Sequence, residues 1–291
     1  MHLNLDDAWS GLPGDLPAVD ARGWGPRLRF SAPSRLIEEF YAELGPRLAP
    51  FVVYGSGDFH HLTALLVRRL IEPFVLVSFD NHPDWDVRPP RWCCGGWVNR
   101  ALELTPVQKV SVWGCGNFEY WWPRNIFGNR RAERRGELEI HAWVDGRPAP
   151  DKNRRGTIQR SNWRAKFTQF AQALGASDVY VTIDLDCLRA EDAATNWENG
   201  RFTIEDVTWA LTELRRAKAR VVGGDICGAF SPQRYARGPQ RFIARMDHPK
   251  LPAPDLESAR AINLKAFTQL WPLLGGWCAP SLDESVNHRA T

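Results

Sequence analysis

Two short runs of the sequence combine carboxylates and a histidine in a pattern that could bind metal ions. Each run directly follows an apolar segment of strand length. The residues concerned are Asp80, His82 and Asp84 in SFDNHPD, and Asp184 and Asp186 in VTIDLDC. Asp184 and Asp186 would point to one face of an extended chain about 6.6 Å apart, within reach of two ions about 3.5 to 4 Å apart. Asp80 and Asp84 would lie about 13 Å apart in a continued strand, so we expect a turn near Pro83.

A third run, GSGDFHH, adds His60 and His61 as further candidates. The combined set has four carboxylates and two imidazoles, which makes it hard and anionic. Such a set suits two divalent ions, Mn²⁺ in particular, better than copper or thiolate-bound zinc, while nickel, cobalt and iron stay open by ligand type. Two ions would lower the pKa of a bridging water and supply hydroxide near neutral pH. A lone D-x-D is more often a turn or a helix cap, but three ionisable groups beside a core strand are costly without compensation.

The elements that carry these runs indicate an α/β protein. Apolar segments of strand length alternate with helical patterns, which predicts a mostly parallel sheet with helices on both faces. Strands are predicted at residues 50–54, 74–79, 107–113, 138–144, 178–183 and 220–223, and helices at 34–48, 62–71, 162–174, 203–217 and 256–274. Ligands bind at the carboxyl edge of such a sheet, so the two acid clusters are expected to converge there.

Length and composition exclude several classes of protein. With 291 residues, 44% of them hydrophobic and 24% charged, the chain is typical of a globular protein, and we expect one domain over residues 1–291. No apolar run approaches the roughly 18 to 20 residues of a membrane helix, so no membrane partner is expected. An acidic N-terminal stretch and six cysteines without a C-x-x-C pair predict a cytoplasmic protein with reduced thiols and no finger-type zinc site.

Basic residues concentrate in one segment, residues 124–166, which holds twelve Lys or Arg against five Asp or Glu. Turn-forming residues are frequent within it, so we interpret it as an insertion or long loop on the surface. A patch that binds a partner or steers substrate is the alternative. The net charge of +3 is too small to imply nucleic acid as a partner.

The three runs resemble the signature of the arginases and agmatinases, the ureohydrolase family. That signature has a Gly-Gly-Asp-His turn, a D-A-H-x-D turn and an S-x-D-x-D turn, which here are GSGDFHH, SFDNHPD and VTIDLDC; TNWENGRFTIEDV is similar to the family's T-x-R-E-G segment. The likeness spans residues 54–228. It implies a three-layer α/β/α fold with a parallel sheet of about eight strands. It also implies two manganese ions held by Asp80, His82, Asp84, Asp184, Asp186 and one of His60 or His61.

The resemblance further implies roles for three acids. Asp84 would be both a metal ligand and the acid/base that passes a proton to the departing amine. Asp225 lies near the family's glutamate that holds the substrate guanidinium, and Glu198 fits an acid twelve residues after the last metal aspartate. An extra residue in the first turn leaves His60 and His61 both open, with His60 favoured by its distance to Asp80. The stretch 94–99, CGGWVN, lacks a histidine that arginases carry after the D-x-H-x-D turn.

We therefore expect a metal-dependent hydrolase that cleaves a C–N bond of a guanidino or amidino compound, free, modified or within a peptide. Whether it forms a homo-oligomer is left open. One alternative is a deacetylase-like amide hydrolase that uses a single zinc ion. The other is a non-catalytic scaffold that binds nucleic acid or an acidic protein through residues 124–166. Six candidate ligands argue against both, because a silent relative has no reason to keep so many costly ionisable groups together.

Overall fold

Eight parallel strands form one sheet in the computed structural model, which describes residues 1–275. In chain order the strands are β1 (His2–Asn4), β2 (Ala18–Asp20), β3 (Phe51–Tyr54), β4 (Phe74–Phe79), β5 (Val107–Trp113), β6 (Leu138–His141), β7 (Asp178–Asp184) and β8 (Arg220–Cys227). Their order across the sheet is β2-β1-β3-β8-β7-β4-β5-β6. The four strands β3, β8, β7 and β4 are therefore neighbours at its centre, although they are far apart in sequence.

Helices cover both faces of this sheet. They are α1 (Gly25–Leu28), α2 (Ser34–Leu44), α3 (Thr63–Leu66), α4 (Trp97–Leu104), α5 (Arg130–Arg135), α6 (Ala149–Lys152), α7 (Trp163–Leu174), α8 (Ile204–Arg216), α9 (Gly238–Asp247) and α10 (Leu256–Gly275). Among residues 1–275, none of these helices has the length and apolar character that crossing a membrane requires.

The core has two layers, one on each side of the sheet, because successive side chains of a strand point to opposite faces. In β3, Val52 and Tyr54 belong to the layer that includes residues of α2, α3 and α4. Phe51 and Val53 belong to the layer that includes residues of α7, α8 and α10. The α/β/α architecture predicted from the sequence is confirmed.

Several boundaries differ from the predictions for local reasons. Strands β1 and β2 are only three residues long and gave no pattern that could be detected. Strand β8 continues to Cys227, four residues beyond its predicted end. The helix predicted at 62–71 is replaced by the short helix α3 and the 3₁₀ turn Val67–Arg69. Helices α4 and α9 were not predicted.

The segment 124–166 is not the single insertion or long loop that its composition indicated. It contributes the edge strand β6, which pairs with β5 in register Val110↔Leu138, together with α5, α6 and the start of α7. Part of its positive charge is neutralised within the fold. Arg160 and Arg164 both pair with the buried Asp206, and Arg154 pairs with Glu133.

Candidate metal centre

The predicted ligands gather where the central strands end. His60 lies in the 3₁₀ turn after β3, Asp80 directly follows β4, and Asp184 is the last residue of β7. Because β7 pairs with β4 in register Phe79↔Ile183, the residues that follow the two strands meet side by side. The sheet therefore brings together groups that are about a hundred residues apart in sequence.

The turn after β4 reverses the chain as expected from Pro83. The backbone N–H of His82 donates to Asp80 Oδ1 at 2.7 Å, which closes a tight local turn. Asp84 then adopts a left-handed conformation with φ of 45°, which aspartate tolerates better than most residues. All three side chains are nearly buried. The turn thus gathers Asp80, His82 and Asp84 at one site instead of spreading them along a strand.

One group of donor atoms centres on His60. Its Nδ1 lies 3.2 Å from Asp80 Oδ2, 3.2 Å from Asp84 Oδ2 and 3.4 Å from Asp184 Oδ2. The ligand atoms of His60, Asp80 and Asp84 all lie within 4.8 Å of one another. We call His60, Asp80 and Asp84 the His60 group. His60, Asp184 and Cys227 form a further set whose ligand atoms lie within the same distance.

A second group centres on His82, whose Nδ1 lies 2.8 Å from Asp186 Oδ2 and 3.8 Å from Asp80 Oδ1. Asp80, His82 and Asp186 also present ligand atoms within 4.8 Å of one another, and we call them the His82 group. Asp80 belongs to both groups, one oxygen facing each. A shared carboxylate of this kind is suited to two adjacent ions.

Hydrogen bonds behind His60 determine which of its ring nitrogens can bind a metal. Thr182 Oγ1 donates to Asp225 Oδ1 at 2.6 Å, so the Thr182 oxygen is left to accept from His60 Nε2, 3.0 Å away. A neutral His60 with its proton on Nε2 has a free lone pair on Nδ1. That nitrogen is the one directed at the three carboxylates, as a metal ligand requires.

The charges of the site are not balanced by the protein alone. Burial, with Asp84 and Asp186 nearby, raises the pKa of Asp80 well above its usual range, and burial with Asp186 raises the pKa of Asp184 to about 7. His60 Nδ1 and Asp80 Oδ2 are buried without a hydrogen-bond partner. Divalent cations would satisfy these atoms and compensate the carboxylates, so the donor set fits two such ions.

A small cavity of about 30 Å³ opens beside both groups, with room for about two water molecules. It is lined by Gly57, Asp80, His82, Asp84, Cys94, Gly95, Glu119, Asp184, Asp186, Trp197 and Asp247. Two of these acids were missed by the sequence analysis. Glu119 lies in the turn after β5, and Asp247 is the last residue of α9. Neither lies in a recognisable motif, so only the fold reveals them.

Glu119 and Asp247 differ from the other acids of the cavity because they lie in neither ligand group. Within residues 1–275, neither carboxylate has a hydrogen bond or an ion pair. Burial raises the pKa of Glu119 to about 7, and burial likewise raises the pKa of Asp247. The cavity therefore has two carboxylates available to a cationic ligand, beyond those that would bind metal.

Asp225 does not occupy the position expected for it. A strand that ended at residue 223, as its apolar run predicts, would leave Asp225 free to hold a substrate. In the structure β8 runs through it, the side chain is fully buried, and it does not line the cavity. The hydroxyls of Thr63, Tyr180 and Thr182 donate to its two oxygens. Asp225 was expected to hold the substrate, but it does not face the cavity. It lies behind His60 and is connected to it through Thr182.

The remaining predicted residues fall into clear places. His61 is buried outside every group of ligand atoms found in residues 1–275, and burial lowers its pKa to about 3. Glu198 is partly exposed, with Oε2 3.7 Å from His82 Nε2, and it is not among the residues that line the cavity. Of the two candidate histidines in the first turn, the structure brings only His60 to the carboxylates.

Comparisons with known proteins support the fold. No family model matches the sequence. An uncharacterised protein of Thermotoga maritima is 30% identical over 182 residues, which is 62% of this chain and 58% of that protein, so the match spans little more than half of its length.

Two solved structures share the architecture. One is a candidate agmatinase from Clostridium difficile, with a TM-score of 0.52 and 16% identity, over 84% of this chain and 76% of that one. The other is proclavaminate amidino hydrolase from Streptomyces clavuligerus, with a TM-score of 0.50 and 15% identity, over 88% and 76%. The predicted arginase-like fold is thereby confirmed.

Proposed function

We propose that this chain is a divergent ureohydrolase, a hydrolase that uses two divalent metal ions to cleave a C–N bond of a guanidino or amidino compound. The observation that carries this proposal is the sharing of Asp80 between the His60 group and the His82 group. Oxygen-rich donor sets with imidazole favour manganese among the candidate metals. The arginase-like fold supports the same assignment.

Three roles would be filled by residues of the protein: holding the ions, moving a proton and orienting a ligand. When bound, two divalent ions provide Lewis acidity and lower the pKa of a water at the site. His60, Asp80, His82, Asp84, Asp184 and Asp186 would hold these ions. Asp84 also lines the cavity, and its carboxylate would take a proton from water and give it to the departing amine. Glu198, beside His82 Nε2, would orient that ring from the outer side.

Glu119 and Asp247 favour a cationic substrate. They face the same cavity as the metal ligands, and among the described residues their carboxylates form no ion pair or hydrogen bond. A guanidinium or amidinium is planar and carries several N–H donors, so carboxylates on two sides can hold it by charge and hydrogen bonds together. In this proposal Glu119 and Asp247 bind the cationic group of the substrate, which is the role expected of Asp225 from the sequence.

The alternative functions receive less support. A single-zinc amide hydrolase needs one group of ligands, and here Asp80 is shared between the His60 group and the His82 group. A scaffold that binds nucleic acid through residues 124–166 needs free positive charge, and six arginines of that segment form ion pairs within the fold.

The test is a screen of guanidino and amidino compounds, including arginine within peptides, with manganese present and urea or amine release as the signal. We expect turnover of at least one cationic compound that is abolished by a chelator and restored by Mn²⁺. Metal bound at both groups without turnover of any guanidine or amidine would contradict the proposed reaction. Preferential turnover of a neutral amide would favour the deacetylase-like alternative.

A further inference from the structure

Trp97 contacts two of the three residues of the His60 group. It is the first residue of α4, is completely buried, and directly follows the turn Cys94–Gly96. Its Nε1–H donates to Asp84 Oδ2 at 2.5 Å. The centroid of its ring lies 4.7 Å from that of His60. A single side chain therefore holds the carboxylate and packs against the imidazole that would bind the same ion.

The backbone strengthens this connection. The N–H of Val98, the next residue, donates to the carbonyl oxygen of Asp84 at 3.2 Å. The start of α4 is thus attached to Asp84 through both its side chain and its main chain. Because Asp84 has a positive φ, a conformation that costs free energy, such external support is needed to keep it in place.

The chemistry of indole limits what Trp97 can do. An indole N–H is only a donor and does not titrate in the physiological range, so it can orient a carboxylate but cannot carry a proton to solvent. A hydrogen bond from a neutral donor to a buried carboxylate is strong and directional. Trp97 therefore gives Asp84 a support that does not titrate.

The His82 group does not share this support. Its Asp186 accepts from the backbone N–H of Asn81 at 3.1 Å and lies beside His82. Among the described residues Trp97 has no hydrogen bond or ring contact with Asp186 or His82, whereas Asp84 belongs to the His60 group alone. Loss of the indole N–H should therefore affect one ion and spare the other.

We infer that Trp97 is a positioning residue specific to the His60 group, which it preorganises for metal binding by fixing Asp84 Oδ2 against His60. This inference rests on the proposed function, because it requires that both groups bind metal. It goes beyond that proposal in assigning the two ions different supporting structures. Outer residues that orient metal ligands commonly change metal affinity by 10- to 100-fold.

The experiment is a titration of metal-free protein with Mn²⁺, followed by calorimetry and by the electron paramagnetic resonance signal of the bound ion. The variant Trp97→Phe keeps an aromatic ring against His60 and removes the donor. We expect two binding steps in the wild type, one of which weakens about 10- to 100-fold in the variant while the other is unchanged. Adding His82→Ala to Trp97→Phe should then remove the remaining tight step.

Trp113→Phe is the matched control. Trp113 is also buried and stacks on a histidine, His141, with ring centroids 3.6 Å apart, but its indole N–H has no hydrogen-bond partner. The Trp113→Phe variant should bind both ions as the wild type does. If Trp97→Phe fails to fold, as judged by its thermal melting, Trp97→Leu is the second variant, since its side chain also has no hydrogen-bond donor.

The outcomes separate the inference from the proposed function. Two unchanged steps in a folded Trp97 variant, equal weakening of both steps, or the same loss in Trp113→Phe would overturn the role of Trp97 and leave the metal site standing. Absence of metal binding in the wild type would overturn both. The single variant His82→Ala should retain only the binding step of the His60 group. Weakening of that same step in Trp97→Phe, with the other step unchanged, would support the inference.

Discussion

The hydroxyl of Thr182 donates a 2.6 Å hydrogen bond to the buried carboxylate of Asp225. This bond leaves the Thr182 oxygen to accept the Nε2 proton of His60, 3.0 Å away. The two residues thereby select the ring tautomer that directs a lone pair from Nδ1 toward Asp80, Asp84 and Asp184. Asp225 contributes to the site from behind, through the histidine, without reaching the cavity.

Thr182→Val is therefore expected to impair metal binding. The variant keeps the shape of the side chain but removes the acceptor for His60 Nε2, so neither tautomer is favoured and a buried N–H is left unpaired. We expect at least a tenfold loss of Mn²⁺ affinity at the His60 group, measured by titration. Thr182→Ser, which retains the hydroxyl, should stay within about threefold of the wild type. Equal losses in both variants would show that packing, not the hydrogen bond, is responsible.

Asp80 should be the residue on which metal content depends most. Because it belongs to both groups, Asp80→Ala is expected to lower the occupancy of both ions, whereas Asp186→Ala should lower mainly that of the His82 group. Elemental analysis of protein prepared with manganese gives the count, expected near two per chain for the wild type. Asp86→Asn is the control, since Asp86 pairs with Arg88 and lies outside both groups. A full complement of metal in Asp80→Ala would contradict the shared-ligand assignment.

Cationic substrate should bind in a pH-dependent way because of Glu119. Burial raises the pKa of this carboxyl to about 7, so its charged form, and with it the binding of a cation, increases as the pH rises through 7. We expect 1/KM for a cationic substrate to rise over this range in the wild type. Glu119→Gln should raise KM about tenfold at pH 8 and flatten this dependence, with little change in metal content.

Asp247→Asn tests the second acid of the cavity separately. It is more exposed than Glu119, so we expect a smaller rise of KM, about threefold. Glu257→Gln, an exposed acid of α10, is the control and should leave KM unchanged. If both cavity variants bind substrate as the wild type does, the carboxylates that recognise the cation lie elsewhere.

The metal-ligand candidates that could be predicted from the sequence are those whose position depends on local spacing. Asp80, His82, Asp84, Asp184 and Asp186 each lie within a few residues of a strand end, and parallel strands place such ends on one edge. The choice between His60 and His61 depends on the 3₁₀ turn Gly57–Leu62, whose geometry gives no sequence pattern. Asp225 was assigned incorrectly because β8 is longer than its apolar run. Glu119 and Asp247 reach the cavity only through the packing of distant segments.

His141 should make the protein sensitive to acid. It is almost buried against Trp113, and burial lowers its pKa to about 4, below the value near 6.5 of an unfolded chain. Between these values the unfolded chain binds a proton that the native protein does not, so stability falls as the pH drops from 6.5 toward 4. This group alone lowers the free energy of unfolding by about 2 kcal/mol between pH 7 and pH 5.

The measurement is urea unfolding of the wild type and of His141→Phe at both pH values. The variant keeps a ring against Trp113 and removes the titrating group. Between pH 7 and pH 5 the free energy of unfolding of the variant should fall by about 2 kcal/mol less than that of the wild type, whatever its value at pH 7. Identical losses in the two proteins would show that His141 does not titrate in this range.

The strand order has a consequence for how the protein acquires its metal during synthesis. His60 and Asp80 are only twenty residues apart, yet they follow β3 and β4, and the later strands β8 and β7 lie between these two in the sheet. At a spacing of about 4.8 Å per strand, β3 and β4 stand about 14 Å apart, and their separation is fixed only when β7 and β8 have been inserted. A nascent chain that ends before Cys227 thus has His60 and Asp80 without the scaffold that joins them. Metal uptake should occur only after about three quarters of the chain has left the ribosome, and metal binding would then report closure of the whole sheet.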